Sequence, residues 1–276
     1  MRLRGGSCAV SAPLGAGHEP GETAMELLRR FRAEGRVPNI TTYNDAIVEN
    51  WKCDRAETCL ELYQDLLEAG VAPNKWTYNA VAGACARSGK ASEAVRVLES
   101  MTKAQIEPDE MTFDAVIGAF AKRGEWREAF KYLRQMRDKG LVPSALTYNT
   151  LMAACSTAGE PFKAKEIYTE MVARGLKPDS TSFNAVLGAY CGAGQWQEVL
   201  DMAAEIGQHG VQMDSITANS IMIAHAMLRQ WDRALTHFED VRRRGIKADV
   251  LTYNALITAL ANGGKKERAL QVCRLV

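Results

Sequence analysis

The sequence has 276 residues, 47% hydrophobic and 24% charged, which is ordinary for a folded protein with a large core. Lys and Arg number 34 against 33 Asp and Glu, so the net charge of +1 favours neither an acidic nor a basic partner, and no run approaches the roughly 18 apolar residues of a membrane span. Seven cysteines without a Cys-x-x-Cys pair indicate free thiols in a reducing compartment.

The N-terminal stretch differs from the rest of the chain. Residues 1–20 contain Arg2 and Arg4, many small residues and no acidic residue before Glu19. Two interpretations stay open, a partial organelle transit peptide or the ragged end of a gene model, and we expect a segment without stable structure. Residues 21–39 resemble the second half of the repeated unit described next, so we expect them to form a half repeat with one helix.

A repeat of 35 residues organises everything that follows. The tripeptide Thr-Tyr-Asn stands at 42–44 and returns at 77–79, 147–149 and 252–254, at separations that are multiples of 35. A register that starts at Ile40 gives six complete units and a truncated seventh, with no insertion or deletion. The units are 40–74, 75–109, 110–144, 145–179, 180–214, 215–249 and 250–276.

Each unit is predicted to form two helices. In the fourth unit, Tyr148, Leu151, Met152 and Cys155 share one helical face, and a second apolar stripe begins at Ala164. Gly at position 31, Pro at position 34 or both stop the second helix of each complete unit, and either the position-3 hydroxyl or the polar residue just before the unit can cap the next helix. Cys85, like Cys155, is expected to be a buried structural thiol.

Neither helix of such a unit buries its apolar stripe alone. Stacking neighbouring units buries the stripes in one continuous core, so the predicted fold is an all-α solenoid of helix-turn-helix repeats. The count along the chain gives fifteen helices, the last of them truncated.

These repeats closely resemble the pentatricopeptide repeat family, in its P-type form. The resemblance rests on Thr-Tyr-Asn at the start of the first helix and on closing motifs such as GLVPS at 140–144 and GLKPD at 175–179, and it covers residues 21–276. The related tetratricopeptide pattern has a period of 34 and a Trp-x-x-Leu-Gly-x-x-Tyr opening, which this sequence lacks. The resemblance implies a right-handed superhelix that binds single-stranded RNA with one base per repeat.

In that family the base edge is read by positions 5 and 35 of each unit. An Asn within a helix is mediocre for helix stability, so its recurrence at position 5 favours base reading over capping, whereas Asp, Asn and Ser at position 35 are also ordinary N-caps. The base-reading candidates are Asn44 with Asn74, Asn79 with Asp109, Asp114 with Ser144, Asn149 with Asp179, Asn184 with Asp214, Asn219 with Asp249, and Asn254, whose partner position lies beyond residue 276.

The base assigned to each pair follows from donors and acceptors. An ionised Asp only accepts, which suits the N3–H of uracil, whereas Asn also donates, which suits the N3 of cytosine, and a purine would crowd the Asn at position 5. Carried over from the family, the first unit reads cytosine and the second, fourth, fifth and sixth read uracil. The pair of the third unit departs from the common combinations. The predicted target is 5′-CUNUUU-3′.

Two further positions contact the RNA in the family. Position 2 places apolar side chains between bases, although ordinary helix packing is an equally open interpretation for each of them. Position 13 holds a cation for phosphate in the first three units, with solvated surface charge as the alternative. The stacking candidates are Trp76, Met111, Leu146, Ile216 and Leu251; the phosphate candidates are Lys52, Arg87 and Lys122; position 13 in the later units holds Thr157, Gly192, Met227 and Asn262.

No catalytic motif accompanies the repeats. The Cys-x-x-Cys pair that the deaminases attached to some relatives need beside a His-x-Glu is missing from the sequence, as are His-Glu-x-x-His and a phosphate-binding Gly-rich signature, so we expect neither an enzyme nor a cofactor or metal. The resemblance implies a monomer in a mitochondrion or chloroplast, with single-stranded RNA and other RNA-processing proteins as partners and no membrane. A protein-binding solenoid is the alternative function.

Overall fold

The computed structural model describes residues 24–209 and 211–273, and it contains fifteen α-helices and no strand within them. The all-α helix-turn-helix repeat architecture predicted from the sequence is confirmed. The expectations for residues 1–20 concern a segment outside the described residues.

The first helix of each repeat is here called an A helix. Every A helix begins at repeat position 1, so the helix starts are spaced by 35 residues. The A helices are α2 (Ile40–Lys52), α4 (Lys75–Ser88), α6 (Glu110–Lys122), α8 (Ala145–Thr157), α10 (Ser180–Gly192), α12 (Ser215–Met227) and α14 (Val250–Asn262).

The second helix of each repeat is here called a B helix, and one more B helix precedes the first repeat. From α3 onward, each B helix follows the A helix of its repeat after a short turn. The B helices are α1 (Ala24–Ala33), α3 (Ala56–Glu68), α5 (Ala91–Lys103), α7 (Trp126–Asp138), α9 (Pro161–Ala173), α11 (Trp196–His209), α13 (Trp231–Arg243) and α15 (Lys266–Cys273).

The residue at position 35 of each complete repeat lies just before the A helix of the next repeat. Its extended backbone and side-chain oxygen make it the N-cap, which accepts a hydrogen bond from the backbone N–H of position 3 of the next unit. In α6, Asp109 caps in this way while the Thr112 hydroxyl accepts from the Asp109 N–H, which completes a capping box. The sequence left two capping candidates, and position 35 is the cap.

The A helices end in turns that need a left-handed residue. At position 15, Gly occupies this conformation in five units, with φ of 69° to 73°. Asp54 and Arg229 adopt the same conformation at this position in the first and sixth units, with φ of 60° and 58°. Gln105 is a third departure, with φ of 57° at position 31, where Gly70, Gly140, Gly175 and Gly245 are left-handed.

The chain divides into two compact units, residues 1–142 and 143–276. In the first unit α2, α4 and α6 pack side by side, and in the second α8, α10, α12 and α14 do the same, while each B helix packs against its own A helix and the next within the unit. The core lies between the two helix sets. Aromatic residues join neighbouring repeats there: the ring of Tyr63 packs edge-on at 5.9 Å from that of Tyr78.

The thiols predicted to be structural lie inside this core. Cys85 and Cys155 are fully buried, and burial raises the pKa of each thiol to about 12. Both thiols therefore stay protonated and pack as small apolar groups. Within residues 24–209 and 211–273, no helix is long and apolar enough to cross a lipid bilayer.

Candidate functional site

Position 5 of each repeat lies inside its A helix, five residues after the N-cap. The side chain there emerges at the start of the second turn, and it does not cap the helix. Asn44, Asn149 and Asn219 are buried, and Asn79 and Asn184 are half-buried. These amides therefore lie against a neighbouring element, and only Asn79 and Asn184 keep more than slight exposure to solvent.

That neighbour is the N-cap of the next A helix, and we call the position-5 and position-35 side chains of one unit its junction pair. In the second repeat, Asn79 Nδ2 donates to both carboxylate oxygens of Asp109, at 3.1 and 3.2 Å. The Thr112 hydroxyl lies 2.6 Å from Asn79 Oδ1, to which it donates. Because a carboxylate only accepts, the contact with Asp109 fixes which end of the Asn79 amide is nitrogen.

The same network recurs three times in the second compact unit. In each case the amide nitrogen donates to the carboxylate and a hydroxyl of the following repeat donates to the amide oxygen. The shortest Nδ2 to carboxylate distances are 3.2 Å for Asn149–Asp179, 2.7 Å for Asn184–Asp214 and 3.0 Å for Asn219–Asp249. The hydroxyl to Oδ1 distances are 2.7 Å from Ser182, 2.8 Å from Thr217 and 2.6 Å from Thr252.

The network leaves hydrogen-bonding capacity on each Asn–Asp junction pair. An amide nitrogen has two N–H groups and gives one to the carboxylate, so one donor remains. The carboxylate has about four acceptor sites, and in the fifth repeat Asp214 uses Oδ1 for the Thr217 backbone N–H and Oδ2 for the Asn184 amide. A donor and an acceptor therefore stand side by side, which matches a carbonyl oxygen next to an N–H on a base edge.

The junction pair of the first repeat offers a different pattern. Asn74 Oδ1 accepts from the Thr77 backbone N–H at 2.9 Å, so the cap uses the oxygen of this amide and its nitrogen stays a donor. The Thr77 hydroxyl donates to Asn44 Oδ1 at 2.7 Å, which again leaves the amide nitrogen of Asn44 as a donor. Two donors suit the N3 and O2 acceptors of cytosine.

The carboxylates of the junction pairs are ionised at neutral pH. Burial raises the pKa of Asp214, but hydrogen bonds from the Thr217 backbone, the Asn184 amide and the Thr217 hydroxyl outweigh it and place the pKa below its ordinary value. For Asp249 the backbone hydrogen bond from Thr252 is the largest cause of a lowered pKa. The pKa values of Asp109 and Asp179 are also below the ordinary value, because hydrogen bonds to each carboxylate outweigh the opposing effect of burial. Each carboxylate is therefore purely an acceptor.

Three base-reading candidates stand outside this pattern. Asp114 is half-buried on α6, and Ser144 caps α8 by accepting from the Thr147 backbone N–H at 3.3 Å. Asn254 is exposed on α14. Their assignment as base readers stays a prediction.

The stacking candidates at position 2 are all on the surface. Trp76 is 47% exposed, and Met111, Leu146, Ile216 and Leu251 are 60% to 66% exposed. Packing between helices therefore does not account for apolar residues at this position. Position 2 lies three residues before position 5, on a neighbouring part of the helix surface.

The phosphate candidates of the first three repeats are exposed, but two of them already contact a neighbouring repeat. Arg87 Nη2 lies 2.6 Å from Asp54 Oδ1, and Lys122 Nζ donates to the Arg87 carbonyl at the end of α4. Lys52 is exposed at the end of α2. Any phosphate at Arg87 would therefore compete with the carboxylate of Asp54.

Sequence reasoning missed three members of this site. The hydroxyl at position 3 was considered as a cap and not as the group that orients the amide of the preceding repeat. Lys75, which lies 3.1 Å from Asp109 Oδ2, and Asp54, which holds Arg87, were not predicted. The recurrence of Thr or Ser at position 3 in all seven repeats was the signal available for the first of these.

The sequence matches three family profiles. The profile described as a PPR repeat family matches residues 110–157, that of a pentatricopeptide repeat domain matches 61–123, and that of a pentatricopeptide repeat-containing protein matches 147–276. Together these matches span residues 61 to 276. Among proteins of curated function, none matches the sequence significantly.

The fold is similar to solved structures of repeat proteins. The crystal structure of PPR10 in complex with an 18-nt psaJ RNA element has a TM-score of 0.73 and 27% identity, over 91% of this chain and 36% of that one. The crystal structure of PPR10 from maize gives a TM-score of 0.62 and 25% identity, over 91% of this chain and 41% of that one. The PPR domain of Arabidopsis thaliana PRORP1, solved with tRNA, shares only the fold, with 0.57 and 14% over 64% and 93%. This chain thus spans less than half the length of the PPR10 chains.

Proposed function

Because the chain is a pentatricopeptide repeat protein, we propose that it binds single-stranded RNA, with one base at each repeat junction. The similar PPR10 chain was solved with an RNA element, at 27% identity over 91% of this chain. The proposal extends that similarity to the chemistry of the junction pairs.

The observation that carries the proposal is the repeated, oriented junction pair. Four times the chain presents an Asn nitrogen beside an ionised Asp, and by the count of donors and acceptors each pair can still offer one donor and one acceptor, although Asp109 also pairs with Lys75. A partner made of identical increments fits a site that repeats one chemistry, whereas the surface of a protein partner varies from one contact to the next. A protein-binding scaffold therefore ranks second.

The target we propose is 5′-CUNUUU-3′. Uracil offers N3–H to the carboxylate and a carbonyl oxygen to the amide N–H, which suits the second, fourth, fifth and sixth repeats. Guanine offers the same donor and acceptor, so its exclusion depends on size: the Asn at position 5 leaves less room for a purine. The two donors of Asn44 and Asn74 suit cytosine in the first repeat.

Exposed apolar residues at position 2 support the same function. Trp76 and its counterparts at position 2 are free to lie against base faces, a contact worth about 1–3 kcal/mol for an aromatic side chain. We place the protein's role in organelle RNA metabolism, in stability, processing, splicing or translation of a transcript, through binding and without catalysis by this chain.

The substitution Asp214→Asn tests the proposal at one base. Asn is a good N-cap, and Asn74 already caps α4 at the same repeat position, so the fold should persist. The acceptor facing the fifth base becomes a donor, and the preference there should shift from uracil toward cytosine by about 1–3 kcal/mol. Competition binding with RNAs that differ only at that base measures the shift.

The matched control is Asp201→Asn, which removes the same charge from α11 of the same repeat, away from the junction pair. It should leave the base preference unchanged. A wild-type protein that binds no pyrimidine-rich RNA would refute the function itself. Binding with an unchanged preference in Asp214→Asn would refute only the assignment of the junction pair as the reader.

A further inference from the structure

Arg229 occupies a backbone position that the other repeats give almost entirely to glycine. Position 15, just after each A helix, is left-handed Gly in five of the seven units, and Arg229 adopts the same conformation with φ of 58°. An L residue with a long side chain is strained there, because its Cβ approaches the carbonyl oxygen. Asp54 at the same position is less strained, since Asp tolerates this conformation and here holds Arg87.

The Arg229 side chain has no such contact to offset the strain. It is exposed, and within residues 24–209 and 211–273 no hydrogen bond or ion pair reaches its guanidinium. A strained residue that stabilises nothing nearby points to a ligand as the reason for its presence.

The sixth repeat lacks a cation at position 13, two residues before Arg229. Lys52, Arg87 and Lys122 hold position 13 in the first three repeats, whereas the sixth has Met227 there, 51% exposed and without charge. Two residues of chain span at most about 7 Å, a distance that an extended Arg side chain covers. Position 15 therefore puts a cation at the same end of the A helix.

We propose that Arg229 is the phosphate-binding residue of the sixth repeat, replacing the cation absent from position 13. The inference rests on the proposed function, since the ligand is an RNA phosphate next to the base read by Asn219 and Asp249. A guanidinium binds two phosphate oxygens with parallel N–H donors, which favours Arg for this contact. The competing interpretation is that Arg229 only neutralises the negative end of the α12 dipole.

The variant Arg229→Gly separates the two roles because they change different measurements. It relieves the strain, so the melting temperature should rise, while the slope of log affinity against log salt should shrink by about 0.7, the value for one phosphate of a single strand. At 150 mM salt that slope corresponds to about fourfold weaker binding, relative to a 1 M reference. The loss should be equal for RNAs with uracil or cytosine at the sixth base.

Gln105→Gly is the matched control, since it relieves the same left-handed strain at a neutral residue in a B-to-A loop. It should raise the melting temperature and leave RNA binding unchanged, and Arg229→Lys should keep the wild-type salt slope. The probe is a fluorescein-labelled CUCUUU RNA. A wild-type salt slope in Arg229→Gly would overturn the inference while RNA binding stands, and a fall in melting temperature would assign Arg229 to the helix dipole instead. If the wild-type protein does not bind the probe RNA, both proposals are overturned.

Discussion

At the scale of single residues, the Asp at position 35 caps a helix and, in our proposal, also reads a base. Oδ1 of Asp214 accepts the Thr217 backbone N–H and so starts α12, while Oδ2 accepts the Asn184 amide. The side chains that cap a helix best are Asp, Asn, Ser and Thr, and among these Asp is charged and only accepts hydrogen bonds, whereas the others are neutral and also donate. The need for an N-cap therefore restricts position 35 to a few residue types, and these types differ in the hydrogen-bonding groups that they can present to a base.

The pair of Arg87 and Asp54 makes a prediction at the same scale. Asp54→Asn removes the carboxylate that lies 2.6 Å from the Arg87 guanidinium, and Asn also tolerates the left-handed backbone at this position. If Arg87 binds phosphate, the freed guanidinium should strengthen RNA binding and steepen its salt dependence by a fraction of one phosphate contact. Titrations of labelled RNA at several salt concentrations measure both.

A change of net charge alone would also strengthen binding, so a control is needed. Asp138→Asn removes one negative charge from an exposed position of α7 in the same compact unit. Equal gains in the two variants would show that Arg87 has no particular role. A gain confined to Asp54→Asn would support it.

At the scale of helices, the sequence predicted most of what the structure shows. Periodic apolar residues and the Gly and Pro stops placed each helix pair, because those signals are local in the chain. The contacts that orient the junction pairs join residues 30 and 33 positions apart, as from Asn79 to Asp109 and Thr112, and no local pattern encodes them. The turn after α12 has the same left-handed conformation at Arg229 although it lacks the Gly from which such a turn is normally predicted.

The turn after α14 gives a prediction about helix packing. Gly263 lies against Trp231, and a Cβ added there would sit 2.6 Å from Trp231 Cγ. Lys265 Nζ lies 4.8 Å from the ring centroid of the same indole, so the ring is contacted from a second residue. Gly263→Ala should therefore destabilise the second compact unit by about 1–3 kcal/mol, as overpacking does, in urea unfolding monitored by circular dichroism.

The companion variant is Gly207→Ala, on α11 of the same compact unit, where a new Cβ meets no atom within 4 Å. It should stabilise by about 0.5–1 kcal/mol, because Ala favours a helix over Gly. If Gly263→Ala matched this gain, the contact with Trp231 would be looser than the structure indicates.

At the scale of the whole molecule, the proposed functions are divided between the two compact units. Unit 1–142 carries the three cations at position 13 and one Asn–Asp junction pair, while unit 143–276 carries three such pairs and Arg229. In our proposal, the cations would supply affinity that any RNA would share, and the pairs would supply the preference for one base. Base preference should therefore depend mostly on unit 143–276.

The junction pairs of that unit should act independently, because they share no hydrogen-bond partner. Asp179 bonds with Asn149 and Ser182, whereas Asp249 bonds with Asn219 and Thr252. The shifts toward cytosine in Asp179→Asn and Asp249→Asn should add in the double variant, within about 0.3–0.5 kcal/mol. Competition binding with four RNAs that carry uracil or cytosine at the fourth and sixth bases completes the cycle. A coupling above about 1 kcal/mol would mean that the fourth and sixth bases are not read independently, and the rule of one base per repeat would then not hold for this protein.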